Sequence, residues 1–182
     1  MAKRSVDFDM AAKLSYINIY DSKSGTDVLA HPLAFDNNDF QNNLTKARIL
    51  ANVKEIEIQK IEILPEINLN NTPTPDMVRA RNKLLPGAKG ANIPDYRISG
   101  KYIDLKEPTG QKPGKETIRN LMSEARSQSD GMVIIINSDE YISETNLFKE
   151  MQTKYFYEKY EGFTTYLKLG VKNGKYLRDS HS

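Results

Sequence analysis

The chain has 182 residues and no cysteine, which favours one domain of ordinary size and excludes disulfides and thiolate metal sites. It contains no apolar run long enough to span a membrane, and its first residues lack the apolar stretch of a secretion signal, so a cytoplasmic site of action is expected. The net charge of +2 conceals a basic segment, because residues 77–129 carry eleven basic and five acidic side chains.

The first half of the chain predicts strands around one helix. Residues 1–12 show little periodicity and are expected to form a flexible N-terminus. Alternating apolar residues then predict three strands, at residues 14–20, 26–30 and 60–66. Apolar residues at helical spacing predict a helix that begins at an Asn37 or Asn38 cap and ends near Val53.

The second half alternates strands with helices. Asp76 is predicted to cap a short helix that ends at Leu85, and Ser99-Gly100 is a turn signal between two short strands. Further elements are predicted in the order helix, strand, helix, strand, at residues 116–127, 132–136, 145–160 and 163–169. This order predicts an α/β (α+β) fold, a central mixed β-sheet flanked by helices, within a single domain over residues 13–178.

Two aspartates on the predicted hairpin are the most informative functional feature. If Ser99-Gly100 forms the loop, Asp95 lies directly opposite Asp104, where like charges repel. A divalent cation with a preference for oxygen ligands, Mg²⁺ or Mn²⁺, would compensate both charges. Lys106 shares the face of Asp104 because side chains alternate along a strand. Two carboxylates for a metal and one ammonium for a reacting anion predict phosphodiester hydrolysis, unless a one-residue slip leaves one carboxylate in water.

A third oxygen ligand is needed to hold such a cation firmly. Glu66, at the end of the preceding predicted strand, is the first candidate, and Glu62 is the alternative. His31 precedes a proline at a strand end and is a candidate general acid or substrate contact. The competing interpretations are a solvated strand end for Glu66, a structural histidine for His31, and a surface lysine paired with Glu107 for Lys106.

The basic segment provides candidate phosphate contacts. A positive field around an acidic pair suits a nucleic-acid-cleaving site, since the bases hold phosphates and the acids hold the metal. The candidates lie on a flexible loop, on the following predicted helix and directly after that helix, and they are Lys112, Lys115, Arg119, Arg126 and Gln128. Lys115 stands at the N-terminus of that helix, where anions are favoured.

The hairpin resembles a known nuclease motif. Pro94-Asp95-Tyr96 followed by Asp104-Leu105-Lys106 matches the PD-(D/E)xK pattern as written. Over residues 31–137 the chain is similar to the C-terminal nuclease domains of contact-dependent growth-inhibition toxins and related polymorphic toxins, which also show the counterparts of His31-Pro32, Leu64-Pro65-Glu66 and Gln128. The resemblance implies a restriction-endonuclease-like fold, metal-dependent cleavage, RNA and especially tRNA ahead of DNA as substrate, and a cognate immunity protein.

Two other interpretations stay open. Residues 40–54 contain no Asp or Glu, although the nuclease superfamily usually places an acid on its first core helix. A second group of toxin nucleases, of barnase and EndoU type, can carry a similar hairpin and cuts RNA without metal, which here would require His31. The third interpretation is a non-catalytic nucleic-acid-binding or phage or mobile-element module. A divalent-metal titration distinguishes the three.

Overall fold

The computed structural model describes residues 7–52, 58–69, 72–89, 93–106, 120, 123–124, 129, 132–137 and 164–169. The contacts of the chain divide it into two compact units, Met1–Gly100 and Lys101–Ser182, which are described separately. The single domain expected over residues 13–178 therefore stays a prediction. None of the described helices is long and apolar enough to cross a membrane.

In the part of the first unit that the structure describes, four strands form a mixed sheet. Its strands are β1 (Ile17–Asp21), β2 (Asp27–Ala30), β3 (Lys60–Ile63) and β4 (Tyr96–Ile98). β1 and β2 are antiparallel, β2 and β3 are parallel, and β3 and β4 are antiparallel. The connection from β2 to β3 contains a 3-10 helix (Pro32–Asp36) and α2 (Phe40–Ala51), since parallel neighbours need a long crossover. The predicted mixed sheet with helices is confirmed.

The core of the first unit lies between α2 and the strands. The buried residues of α2 repeat at helical spacing, as predicted, and are Phe40, Leu44, Ala47, Leu50 and Ala51. They pack against β2 and β3, whose inward residues are Val28, Ala30, Ile61 and Ile63. The fully buried Tyr96 of β4 donates a hydrogen bond from its hydroxyl to the carbonyl oxygen of Asn43, at 2.9 Å, and so joins this strand to α2.

A second, smaller cluster joins the N-terminus to α3 (Pro75–Leu84). Asp7 caps the short helix α1 (Phe8–Ala11), and Phe8 and Ala12 pack with Ala80 of α3. Asp9 forms a 2.8 Å ion pair with Arg79 on the exposed side. The structure thus places a packed helix within the stretch for which the sequence predicted a flexible N-terminus. Phe8 anchors this helix, which at four residues is too short to show a helical period in the sequence.

The helix caps differ from those predicted. Thr74 rather than Asp76 caps α3, since its hydroxyl accepts from the Met77 amide at 3.3 Å while Pro75 occupies the first helical position. α2 begins after Asp39, which makes no side-chain cap bond. The side chain of Asn37 instead accepts from the Asp39 amide, at 2.8 Å, in the turn before the helix.

The described residues of the second unit include three parallel strands. They are β5 (Lys101–Lys106), β6 (Met132–Asn137) and β7 (Thr164–Leu169), and β6 pairs with both of the others. β6 confirms the strand that the sequence predicted at residues 132–136, and it is the central strand of the three. Asn120, Ser123 and Glu124 are helical, as expected for the helix at 116–127. The helix predicted at residues 145–160 lies outside the described residues.

Candidate functional site

Asp104 and Lys106 lie on β5 with their charged groups together. Alternation along the strand places both side chains on one face, as the sequence predicted. Lys106 Nζ lies 3.0 Å from Asp104 Oδ2 in an orientation that forms no hydrogen bond, so this buried oxygen has an ion-pair partner but no hydrogen bond. The Asp104 side chain is only 3% exposed and that of Lys106 is 18% exposed. A buried carboxylate with an unused acceptor is therefore held next to an ammonium group.

A second carboxylate approaches the same lysine. Glu124 Oε2 lies 3.6 Å from Lys106 Nζ, and its side chain is 62% exposed. In the sequence, Glu124 is one of the five acidic residues of the basic segment 77–129 and belongs to no motif. Its helical position is readable from the sequence, but its distance to Lys106 depends on how that helix is placed against β5. No feature of the neighbouring sequence predicts this contact between Glu124 and Lys106.

Asp95 lies in the first unit, in the bend before β4. It is half-buried, and its carbonyl oxygen accepts a hydrogen bond from the Leu64 amide at 3.2 Å, which extends the pairing of β3 with β4 by one residue. Ser99 and Gly100 both have positive φ, 50° and 80°, as two-residue type I′ hairpin loops require. Since Asp95 and Asp104 belong to different units, their direct opposition stays a prediction.

The two candidates for a third metal ligand occupy different surroundings. Glu66 follows the end of β3, which stops at Ile63 rather than at residue 66, and it is exposed. Glu62 is buried on β3 and opposes Arg97 of β4. Arg97 Nε donates to Glu62 Oε2, and Lys60 Nζ lies 3.1 Å from Glu62 Oε1. Two cations already neutralise Glu62, which makes it a poor metal ligand.

The surroundings of Glu62 alter its acidity. Burial alone would raise the pKa of this carboxyl, but hydrogen bonds from Arg97 and Lys60 and their charges outweigh burial and hold the pKa below its usual 4.5. Arg97 also lies over the ring of Tyr16, with 5.5 Å from the guanidinium carbon to the ring centre. Because Ile61, Ile63 and Tyr96 face α2, the Glu62–Arg97 pair projects from the opposite face of the sheet.

His31 is fully buried at the end of β2. Its Nδ1 accepts a hydrogen bond from the Leu33 amide, at 3.2 Å, so the neutral ring carries its proton on Nε2. The ring packs edge-on against Tyr16, with 5.3 Å between ring centres. Burial lowers the pKa of His31, and a weaker backbone interaction with Leu14 opposes this effect. These contacts are those of a structural histidine that begins the 3-10 helix.

The pKa of His31 predicts an acid-dependent loss of stability. The folded protein favours the neutral ring, whereas the unfolded chain takes up a proton near pH 6.5. The contribution of His31 to the free energy of unfolding is therefore complete above pH 6.5, and it is lost as the pH falls from 6.5 toward the lower pKa of the folded state. Urea unfolding between about pH 7 and 5 should show this slope. His31→Asn, which retains a cap acceptor, should flatten it, and an unchanged slope would contradict the assignment.

The predicted phosphate contacts cannot be placed. Lys112, Lys115, Arg119, Arg126 and Gln128 lie outside the described residues. Within the part of the chain that the structure describes, no group of three His, Asp or Glu side chains is arranged to hold a metal ion. The predicted set of Asp95, Asp104 and Glu66 is divided between the two units and stays a prediction.

Part of the chain is similar to a known protein family. Residues 92–169 match the family model described as the contact-dependent growth inhibition CdiA C-terminal domain. This range contains Asp95, Asp104 and Lys106 but neither His31 nor Glu66. No curated protein and no solved structure matches the chain.

Proposed function

We propose that this chain is a toxin-like, metal-dependent endonuclease that hydrolyses phosphodiester bonds in nucleic acid. The observation that carries the proposal is the Asp104–Lys106 pair on β5, in which a buried carboxylate lies 3.0 Å from an ammonium group. The family match over residues 92–169 supports the toxin-like part, because this pair lies inside the matched range.

The chemistry of Asp104 fits a hard divalent cation. Its Oδ2 is buried and makes no hydrogen bond, so a lone pair is available for a ligand. Carboxylate oxygens are the ligands that Mg²⁺ and Mn²⁺ prefer, so Asp104 is proposed as a ligand of such a cation. When bound, the cation would polarise the phosphate and lower the pKa of a bound water.

Lys106 supplies the positive charge that the reaction needs. Hydrolysis builds negative charge on the phosphate oxygens, and a fixed ammonium group stabilises that charge most where water is excluded. The side chain of Lys106 is mostly buried, and Lys106 is the last residue of β5. It is therefore assigned to transition-state stabilisation rather than to proton transfer.

The basic residues of segment 77–129 favour a nucleic-acid substrate over a small anion. RNA, and tRNA in particular, is preferred to DNA on the family resemblance, which also implies a cognate immunity protein that protects the producing cell. The residues proposed to contact the substrate are Lys112, Lys115, Arg119, Arg126 and Gln128, and the proposed site of action is the cytoplasm.

The metal-independent alternative receives less support. Such a ribonuclease needs a general base at the substrate, and His31 and His181 are the two histidines of the chain. His31 is fully buried, and its Nδ1 is occupied by the Leu33 amide. A substrate would have to displace part of the core of the first unit to reach this ring.

Cleavage assays with and without metal test the proposal. The full chain is incubated with total RNA and with plasmid DNA, in Mg²⁺, in Mn²⁺ and in EDTA. We expect cleavage of RNA with a divalent cation and none in EDTA, because the attacking water is activated at the cation. The products should carry no 2′,3′-cyclic phosphate, and His31→Asn should lower the cleavage rate by less than about tenfold. Full activity in EDTA with cyclic-phosphate ends would establish the metal-independent alternative instead.

A further inference from the structure

The ammonium group of Lys106 has an inner and an outer carboxylate neighbour. Its Nζ lies 3.0 Å from Asp104 Oδ2 and 3.6 Å from Glu124 Oε2. The side chain of Asp104 is 3% exposed, whereas that of Glu124 is 62% exposed. The side chain of Lys106, at 18%, is partly open to the solvent. An anion that comes from the solvent therefore meets the ammonium group on the side where Glu124 lies.

The two carboxylates differ in how firmly they hold the ammonium group. If Lys106 moved away, Asp104 would stay buried without compensation of its charge, which is strongly unfavourable. Glu124 is mostly solvated, and exposed ion pairs contribute little to stability. Its distance of 3.6 Å also exceeds the about 2.7–2.9 Å of a charge-assisted hydrogen bond from nitrogen to oxygen. Asp104 therefore fixes Lys106 in place, and Glu124 is the neighbour that can be exchanged.

A phosphate group offers the ammonium group the same kind of partner as Glu124 does. Both present an anionic oxygen, and lysine binds phosphate as a point charge. Glu124 and a phosphate at the outer side of Lys106 would repel each other, since like charges this close are unfavourable. Because the Glu124 side chain is mostly exposed, it can turn into the solvent without disturbing the core.

We propose that Glu124 occupies, in the free protein, the position on Lys106 that a substrate phosphate takes, and that nucleic acid displaces it on binding. This inference rests on the proposed function, because it takes Lys106 to be a phosphate contact. It requires no metal ion, and Lys106 stays beside Asp104 throughout. Glu124 keeps the outer side of the ammonium group paired when no substrate is present, and it lowers the affinity of the chain for nucleic acid by the cost of its displacement.

Binding of fluorescein-labelled bulk tRNA, followed by fluorescence anisotropy, tests the inference without an activity assay. EDTA is present so that the proposed metal-dependent cleavage does not consume the probe. The Kd of the full chain is compared with those of Glu124→Gln, Lys106→Met and the double variant, which together form a double-mutant cycle. Asp36→Asn, which removes one exposed carboxylate of the first unit, is the control matched for net charge.

Glu124→Gln should lower the Kd about threefold, the size of effect that one exposed ion pair supplies. Lys106→Met should raise the Kd, because a phosphate contact is lost. In the Lys106→Met background, Glu124→Gln should have no further effect, since the group for which Glu124 and the phosphate compete is absent. Asp36→Asn should match the unmodified chain. A second cycle, with Asp104→Asn added to Lys106→Met, covers the case in which Asp104 without its counter-ion prevents folding.

The outcomes separate this inference from the proposed function. A chain that does not bind tRNA would overturn the proposed action on nucleic acid. A chain that binds tRNA with the same Kd with and without Glu124 would overturn only the displacement of Glu124. A Glu124→Gln effect that persists without Lys106, or that Asp36→Asn reproduces, would also overturn it, since Glu124 would then act through net charge alone.

Discussion

Replacing Lys106 with methionine is expected to lower the rate of nucleic-acid cleavage about 10²–10³-fold. The physical reason is the loss of a preorganised positive charge at the site where negative charge develops on the phosphate. Methionine retains an unbranched apolar stem of similar length, so the packing of the mostly buried side chain on β5 is largely kept. Single-turnover cleavage of RNA in Mg²⁺ measures the effect.

Lys101→Met is the matched control for this variant. Lys101 begins the same strand and is exposed, so its loss removes an equal charge without touching Asp104. We expect it to change cleavage only slightly, and circular dichroism should show that both variants fold. Equal activities for Lys106→Met and Lys101→Met would mean that the match to the nuclease motif is fortuitous.

Arg97→Met is expected to destabilise the first unit by about 2–4 kcal/mol. The substitution leaves Glu62, whose side chain is 9% exposed, with Lys60 as its remaining ion-pair partner, and it also removes the contact with Tyr16. Most of the cost is the burial of a carboxylate that has lost its best hydrogen-bond donor. Urea unfolding at neutral pH measures the change.

The pH dependence of this loss provides an internal check. Because the folded pKa of Glu62 is lowered, its ion pairs contribute stability above about pH 4.5, and the contribution disappears as the pH falls through the folded value. The gap between Arg97→Met and the unmodified chain should therefore narrow in acid. Arg79→Met breaks exposed ion pairs and should lower the free energy of unfolding much less than Arg97→Met does. Equal costs for the two variants would contradict a special role for the Glu62–Arg97 pair.

Features that depend on neighbours along the chain were predictable. The spacing of Asp104 and Lys106 places them on one face of a strand in any fold, because side chains alternate. The apolar spacing of Phe40, Leu44 and Ala47 predicted α2 for the same local reason. The positive φ angles of Ser99 and Gly100 likewise follow from turn chemistry rather than from tertiary packing.

The ends of elements were less predictable, because several residues compete for each role. Thr74 and Asp76 both suit a helix cap, and Pro75 between them decided in favour of Thr74 by preferring the first helical position. β3 was predicted to reach residue 66 but ends at Ile63, and beyond that residue a hydrogen bond from Leu64 to Asp95 continues its pairing with the β4 side. Such endings depend on how far the neighbouring strands extend.

The sequence by itself determined the mixed arrangement of helices and strands, and it predicted a pair of acids and a lysine in a basic segment as the residues of the site. Only the tertiary structure decided which charges meet. The register of β3 with β4 places Glu62 opposite Arg97, and Tyr16 packs against the buried His31. The position of a helix places Glu124 near Lys106. Each of these contacts joins residues at least 15 positions apart, so it depends on sheet register and helix packing, which no local period encodes.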